Sequence, residues 1–324
     1  MRNERPTARH ATSVTAAGAI EIRAARGAAE GERAAEAWGR LPAAPGAAQG
    51  SPRYAPADGR RLVVAVREGR FVGVSGWSAG AGRCASILLP RLERWDEETA
   101  ARLVAEAARG AAAEGARLIQ ALAEPDEPSA LARAIERAGL ARLAILAYLR
   151  RKVAGTDAHL AMSPSIALRR WTPWRRGEFA RTIERTYEGS LDCPAMAGLR
   201  TARDAIATHR ATGLFRPAAW HLAMEGREAV GVVLTSAVEG RGDLTYLGVV
   251  PQARQRGIGK ALLAQAIRDT ARMGLPVLGL AVDTSNTPAL RLYAGAGFQE
   301  VRRRLVWFVP RERLESPRFA LAAP

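Results

Sequence analysis

The residues best suited to chemistry lie between Leu247 and Leu263. An apolar run ends at Pro251, a loop with two arginines follows (Gln252-Ala253-Arg254-Gln255-Arg256), and Gly257-Ile258-Gly259-Lys260 opens an amphipathic stretch. If that stretch is a helix, its first turn presents N–H groups without intrahelical partners and the positive end of its dipole. Glycines at such a turn let the backbone approach a ligand with no Cβ in the way. With Arg254, Arg256 and Lys260 adding positive charge, residues 254–260 form a cradle for pyrophosphate. It is neither of two common phosphate loops: G-x-G-x-x-G is absent, and so are the glycine spacing and Lys-Ser/Thr pair of a P-loop. The four histidines and two cysteines stand at no metal-ligand spacing, so no metal is expected.

Arg254-x-x-Gly257-x-Gly259, after a strand that ends Val-x-Pro, resembles motif A of the GCN5-related N-acetyltransferase (GNAT) family. Asn286-Thr287-Pro288-Ala289-Leu290-Arg291-Leu292-Tyr293, followed by Ala296-Gly297-Phe298, is similar to that family's second acetyl-CoA motif. The resemblance is specific over residues 216–308 and extends back to about residue 165. It implies acetyl-CoA as co-substrate, with its pyrophosphate on the cradle of Arg254, Gln255, Arg256, Gly257, Ile258, Gly259 and Lys260. It places Leu247, Gly248 and Val249 against the pantetheine arm, and Asn286, Ala289 and Tyr293 at the cofactor. The implied reaction moves an acetyl group to an amine of a small molecule or a peptide N-terminus, by direct attack in a ternary complex. Such a reaction needs a proton donor for the leaving thiolate and an acceptor for the amine proton. The resemblance puts Tyr293 in the first role and Asp243 in the second. Strand alternation would set Asp243, Thr245, Leu247 and Val249 on one face. His221 is a further candidate near the acceptor. Glu188, Asp192 and Cys193 fall in the loop where the family builds acceptor specificity. Cys193 has no histidine placed to activate it and is expected to be a bystander.

The elements that must hold these residues can be read along the chain. Residues 1–18 are polar and aperiodic, as in a disordered tail. Strands are expected near residues 20–23, 61–67, 71–77, 84–89, 117–123 and 140–152, and helices near 27–40, 97–114 and 128–138. After a linker at 154–164 the order repeats. Strands fall near 166–170, 220–224, 228–237, 244–250 and 276–282, with a last one ending at 309. Helices fall near 175–187, 202–211, 257–273 and 288–294. Glu68-Gly69-Arg70 matches Glu225-Gly226-Arg227, Gly73-Val74 matches Gly231-Val232, Pro90 matches Pro251, and Gly139-Leu140 matches Gly297-Phe298. Four landmarks in order, about 160 residues apart, argue for an internal duplication. The fold class is therefore α/β (α+β): two tandem GNAT-like domains, each a mixed, mostly antiparallel sheet flanked by helices. The first, 19–153, lacks the paired glycines and carries Asp96-Glu97-Glu98 in their place, so it is expected to bind no cofactor. The second, 165–324, is expected to be catalytic. The tandem layout is similar to that of the mycothiol synthases, a likeness of architecture.

Composition bounds the rest. The chain has 324 residues, 48% hydrophobic and 25% charged, as in an ordinary globular protein. No apolar run approaches a membrane span, so no membrane partner is expected. Two separated cysteines and no leader pattern are consistent with a cytoplasmic location. The net charge of +16 raises nucleic acid as a partner. All but two of the basic residues are arginines, scattered through the chain, which points to compositional bias. Two alternatives stand beside the enzyme: a non-catalytic acyl-CoA sensor, which would need neither Tyr293 nor Asp243, and a basic nucleic-acid-binding protein. Acceptor identity and oligomeric state are not legible.

Overall fold

The computed structural model describes residues 19–44, 61–124, 129–159, 166–196 and 201–310, with Arg313 and Ser316. The expected tail at 1–18 and part of the expected linker lie outside these residues. The first half runs β1 (Glu21–Ala24), α1 (Gly27–Arg40), β2 (Leu62–Arg67), β3 (Arg70–Gly80), β4 (Cys84–Leu92), α2 (Glu97–Ala113), β5 (Leu118–Ala123), α3 (Ser129–Arg137) and β6 (Ala141–Lys152). The second runs β7 (Ala167–Arg170), α4 (Arg176–Tyr187), α5 (Ala202–Ala211), β8 (Trp220–Glu225), β9 (Glu228–Val238), β10 (Arg241–Val249), α6 (Ile258–Arg272), β11 (Val277–Asp283), α7 (Thr287–Gly295) and β12 (Gln299–Pro310). A short 3₁₀ helix, Gly155–His159, stands between them.

The helices start where side chains can satisfy free N–H groups. Asp96 accepts from the Thr99 amide at the head of α2, and Thr201 from the Asp204 amide at the head of α5. Asn286 accepts from the Ala289 amide at 3.3 Å, with Pro288 in the first turn of α7. Central strands of both halves, such as β2 and β9, are near-continuous apolar runs, as expected where both sheet faces are covered, and each face buries its own helix set. In the first half α2 and α3 cover one face and α1 the other. In the second, α6 and α7 cover one face, and α4 and α5 the other.

All twelve strands form one sheet, in the order β1-β2-β3-β4-β5-β12-β6-β11-β10-β9-β8-β7. Neighbours are antiparallel except β4–β5 and β10–β11. The halves exchange their last strands: β12 pairs with β5 of the first half, and β6 pairs with β11 of the second. β12 and β6 then pair with each other at the seam, from Gln299↔Arg150 to Phe308↔Ala141. Leu305, Trp307 and Val309 consequently belong to the core of the first half, and Ala147 and Leu149 to that of the second. Among the described residues, no helix is long and apolar enough to cross a membrane.

Candidate active site

β10 and β11 run parallel but pair only at Gly242↔Leu278 and Asp243↔Gly279. Beyond that point they diverge, while β10 stays zipped to β9 as far as Val249↔Gly231. The edge of β10 that faces β11 thus carries backbone groups without strand partners along Leu247, Gly248 and Val249. Such groups need an external partner when buried. A cavity of about 330 Å³ fills the fork, lined among others by Leu247, Gly248, Val249, Gly259, Asn286, Ala289 and Tyr293. Gly248 has no room for a side chain, since a Cβ would sit 2.7 Å from Thr186 Oγ1.

The wide end of the fork meets the head of α6. Gly257 is its N-cap, at φ +80°, and Gln255 is also left-handed at φ +63°. The first amide of this turn bonded within the helix is that of Ala261, to the Gly257 carbonyl. The amides of the preceding residues therefore form the anion-binding end that the glycines predict. A Cβ on Gly259 would lie 3.6 Å from Leu292 Cδ2, filling part of the space between α6 and α7. An elongated apolar slot leading to a helix N-terminus fits a pantetheine arm ending in a pyrophosphate.

The basic residues of the cradle divide. Arg254 is turned away from the helix end: Nε donates to the Val249 carbonyl at 3.1 Å, and the terminal nitrogens donate to Gly189, Thr186 and Glu188 carbonyls at 2.9, 3.2 and 2.6 Å. It staples the C-terminus of α4 to the end of β10 and closes one wall of the cavity. The expectation that its charge faces phosphate is corrected to this role. Arg256 is exposed and paired with Glu225, which raises its pKa further. Lys260 is exposed beside the helix head.

Asp243 stands at the apex of the fork, on the last residue that pairs with β11. Burial raises its carboxyl above the ordinary value, and Arg241 offsets this in part. The expected alternation from Asp243 to Val249 fails, because a β-bulge interrupts the β9–β10 register between Leu244 and Tyr246. Leu247 and Val249 turn toward the α6 side, whereas Tyr246 faces α4 and α5. Tyr293, on α7, is 7% exposed, with its ring 5.8 Å from that of Phe298. Burial and then the nearby Asp192 carboxylate push its phenol well above the usual value, so it stays protonated.

The loop after α4 forms the other rim. Asp192 Oδ1 accepts from the Asp283 amide at 3.0 Å, and Asp283 Oδ2 accepts from the Cys193 amide at 3.1 Å. The Asp192 carboxyl is raised by burial, although solvent reaches the residue through the open cleft. Burial, with the two aspartates, pushes the Cys193 thiol up to about 12, which leaves it inert as a nucleophile. Glu188 gives its carbonyl to Arg254, and its exposed side chain lines neither cavity. His221 is corrected: it is buried under α6, with Nε2 2.7 Å from Asp269 Oδ2, and lines neither cavity.

A second cavity, of about 350 Å³, adjoins the first. Both touch Tyr187, Gly189, Ser190, Asp192, Thr245 and Tyr246. Beyond them it is lined by Cys193, Pro194, Met196 and His209. The Tyr246 hydroxyl bonds Thr186 Oγ1 at 2.6 Å, and the Tyr246 ring lies 5.9 Å from Tyr187 and 5.4 Å from His209. Sequence reading missed this aromatic group. Tyr187 and His209 sit at helical spacing and Tyr246 in a strand, each indistinguishable from a core residue until the bulge and α5 bring them together.

The matching place in the first half carries its own polar side chains, beside a cavity of about 250 Å³ lined among others by Leu92, Arg94, Trp95, Asp96 and Thr99. β4 and β5 also pair briefly, Cys84↔Leu118 to Ser86↔Gln120, and at the last of these pairs Gln120 Nε2 donates to Ser86 Oγ at 3.2 Å. At the head of α2 the Asp96 carboxylate takes the Thr99 amide at 2.8 Å, and its pKa is lowered by that contact.

Residues 183–298 match the family described as Acetyltransferase (GNAT) family. A mycothiol acetyltransferase of Stackebrandtia nassauensis is 31% identical over 250 residues, 74% of this chain and 79% of that relative. One from Geodermatophilus obscurus is 27% identical over 256 residues, 75% of this chain and 80% of the relative. A GCN5-related N-acetyltransferase from Sphaerobacter thermophilus superposes with a TM-score of 0.59 at 19% identity, over 90% of this chain and 96% of that one. A tandem GNAT protein from the clavulanic acid biosynthesis pathway gives 0.50 at 17% identity, over 90% and 99% of the two chains. At these identities the two structures speak for the fold alone. The forked strands, the glycine-opened helix and the coverage of the relatives together place the chain in the GNAT acetyltransferase family, and it transfers an acetyl group from acetyl-CoA to an amine.

Proposed function

We propose that acetyl-CoA lies in the fork between β10 and β11, with its pyrophosphate on the head of α6, and that a small-molecule amine enters through the second cavity. The observation that carries this is that the two cavities adjoin, sharing Tyr246 and Asp192 in their linings, on the side of the fork where β10 is bulged. The thioester supplies an activated acetyl carbon. The amine nitrogen attacks that carbon, the carbon–sulfur bond breaks, and the electron pair leaves with sulfur. Tyr293, kept protonated by burial, gives its proton to the departing thiolate. Asp243 lines neither cavity but adjoins Leu244 at the wall of the first, so it takes the proton that the amine must lose through a water. A raised carboxyl suits that work better than an ordinary one, because a base is most effective when its pKa lies near the working pH.

The first half, 19–153, is read as a copy without cofactor, and 165–324 as the catalytic copy. The Asp96 cap supports this, since its carboxylate takes a helix-head amide and puts negative charge there, whereas Gly257 at the head of α6 does neither. A mycothiol-type acceptor is the specific candidate that the relatives' names supply. Acetyl-CoA consumption with the deacetylated mycothiol precursor, compared with glucosamine and phenylethylamine, tests it. Turnover of the precursor at least tenfold above the others supports that acceptor. Equal or no turnover of the precursor removes it and leaves the amine class open.

A further inference from the structure

The first half binds no ligand in this reading, yet one of its turns packs on α5, the helix that supplies His209 to the second cavity. β3 and β4 are joined by Ala81-Gly82-Arg83, and this turn lies on α5 of the other half. Arg83 grips α5 with a fork: Nε donates to Asp204 Oδ1 at 3.2 Å, and a terminal nitrogen donates to Oδ2 at 3.1 Å. Beside it, Thr208 Oγ1 donates to the Ala81 carbonyl at 3.1 Å. Gly82 lies flush against the helix, where a Cβ would stand 2.2 Å from the Asp204 carbonyl oxygen and 2.4 Å from Thr208 Oγ1.

Both ends of the contact are held rigidly. Gly82 and Arg83 are left-handed, at φ +71° and +56°, a conformation that a residue with a side chain rarely adopts. The Arg83 carbonyl accepts from the Arg117 and Leu118 amides, which ties the turn to β5. On the other side, Thr201 Oγ1 accepts from the Asp204 amide and donates to Asp204 Oδ2 at 2.6 Å. Burial alone would raise the Asp204 carboxyl, but the bonds from Arg83 and Thr201 outweigh it and hold the group below its ordinary value. About one and a half turns further along the same helix, His209 faces the second cavity beside Tyr246.

We propose that Arg83, with Gly82, is a positioning residue for the acceptor: the copy without cofactor shapes the acceptor cavity by holding α5, and with it His209, in place. The proposal rests on the reading of the second cavity as the acceptor site. A bidentate guanidinium–carboxylate fork fixes orientation as well as distance, which is what a cavity wall at the junction of two halves requires. The rings of Tyr187, Tyr246 and His209, with Met196, give the cavity an apolar side, so phenylethylamine serves as a probe amine whatever the native acceptor.

The test compares wild type with Arg83→Ala, Arg83→Lys and His209→Ala. N-Acetylphenylethylamine formation is followed by mass spectrometry, and acetyl-CoA affinity by calorimetry. Arg83→Ala is expected to raise the KM for phenylethylamine about fivefold or more, with kcat and acetyl-CoA Kd within about twofold of wild type. Arg83→Lys keeps a cation without the fork and should recover part of the loss. Hydrogen exchange should quicken over residues 202–211 in Arg83→Ala, a readout that needs no acceptor. Unchanged exchange there overturns the proposal whatever amine is used. So does an unchanged KM, or a parallel loss of kcat, KM and cofactor affinity, which would mark a merely structural contact. If His209→Ala leaves the KM unchanged, the acceptor-site reading has failed. If His209→Ala raises it and Arg83→Ala does not, that reading stands and the positioning role falls.

Discussion

Arg254→Ala separates two accounts of the cradle. The family resemblance puts the Arg254 charge beside the pyrophosphate, whereas the structure spends it on four carbonyls that join α4, the following loop and β10. Hydrogen bonds from a charged group are worth about 1.5–3 kcal/mol each when well buried. Here four share one partly exposed guanidinium, so the staple as a whole is taken at about 3 kcal/mol. If that free energy orders the wall that acetyl-CoA must meet, its loss weakens binding about a hundredfold. Calorimetry at low and moderate salt is the assay. A staple makes no direct contact with the ligand, so the Kd of the variant should rise while its salt dependence stays close to that of wild type. A direct phosphate contact would behave differently, because removing one charge pair flattens the salt dependence. A flattened dependence with unchanged thermal stability would refute the staple.

Three further outcomes are expected. Tyr293→Phe should keep acetyl-CoA affinity and lower kcat about a hundredfold or more, the usual weight of a positioned proton donor; a kcat within threefold of wild type, followed by thiol release, would remove Tyr293 from the chemistry. The Asp243 carboxyl is raised, and a base works deprotonated, so kcat/KM should climb with pH through a value above the ordinary carboxylate range. Asp243→Asn should erase that limb, and a profile identical to wild type would assign the limb to another group. Trp307 is fully buried in the first-half core although its strand ends the second half, and its indole Nε1 donates to Glu136 at 3.3 Å. Trp307→Ala should cost about 3–5 kcal/mol and leave a single urea transition; a second half that unfolds at the wild-type midpoint would show the exchange of strands to be energetically idle.

The elements were legible because both repeats keep strong periodicity and clear stops. Gly139 and Gly297, both left-handed, end α3 and α7 where the chain pattern breaks. The α6 cradle was legible for the same reason, since a glycine N-cap and a proline-ended strand are local signals. β10 begins earlier than expected, at Arg241, because strand pairing with β9 carries Gly242 and Asp243 into the sheet. Strand exchange left no local mark: β6 and β12 read alike whichever half they join. The bulge beside Tyr246 was also invisible, and it decides which residues face the acceptor. Arg254 was assigned by its spacing to the two glycines and His221 by its place on the neighbouring strand, but carbonyls left open at the end of α4 and a carboxylate on α6 claim them first.

The central claim is one acetyl-CoA site per chain, at the head of α6. Gly257 is left-handed at φ +80°, and Gly259 faces the fork, so Gly257→Glu/Gly259→Glu would put two carboxylates where the pyrophosphate belongs. Calorimetric titration of wild type with acetyl-CoA should give a stoichiometry of one, and the double variant, shown folded by circular dichroism, should give no binding. A stoichiometry of two, or binding retained by the folded variant, would contradict the account.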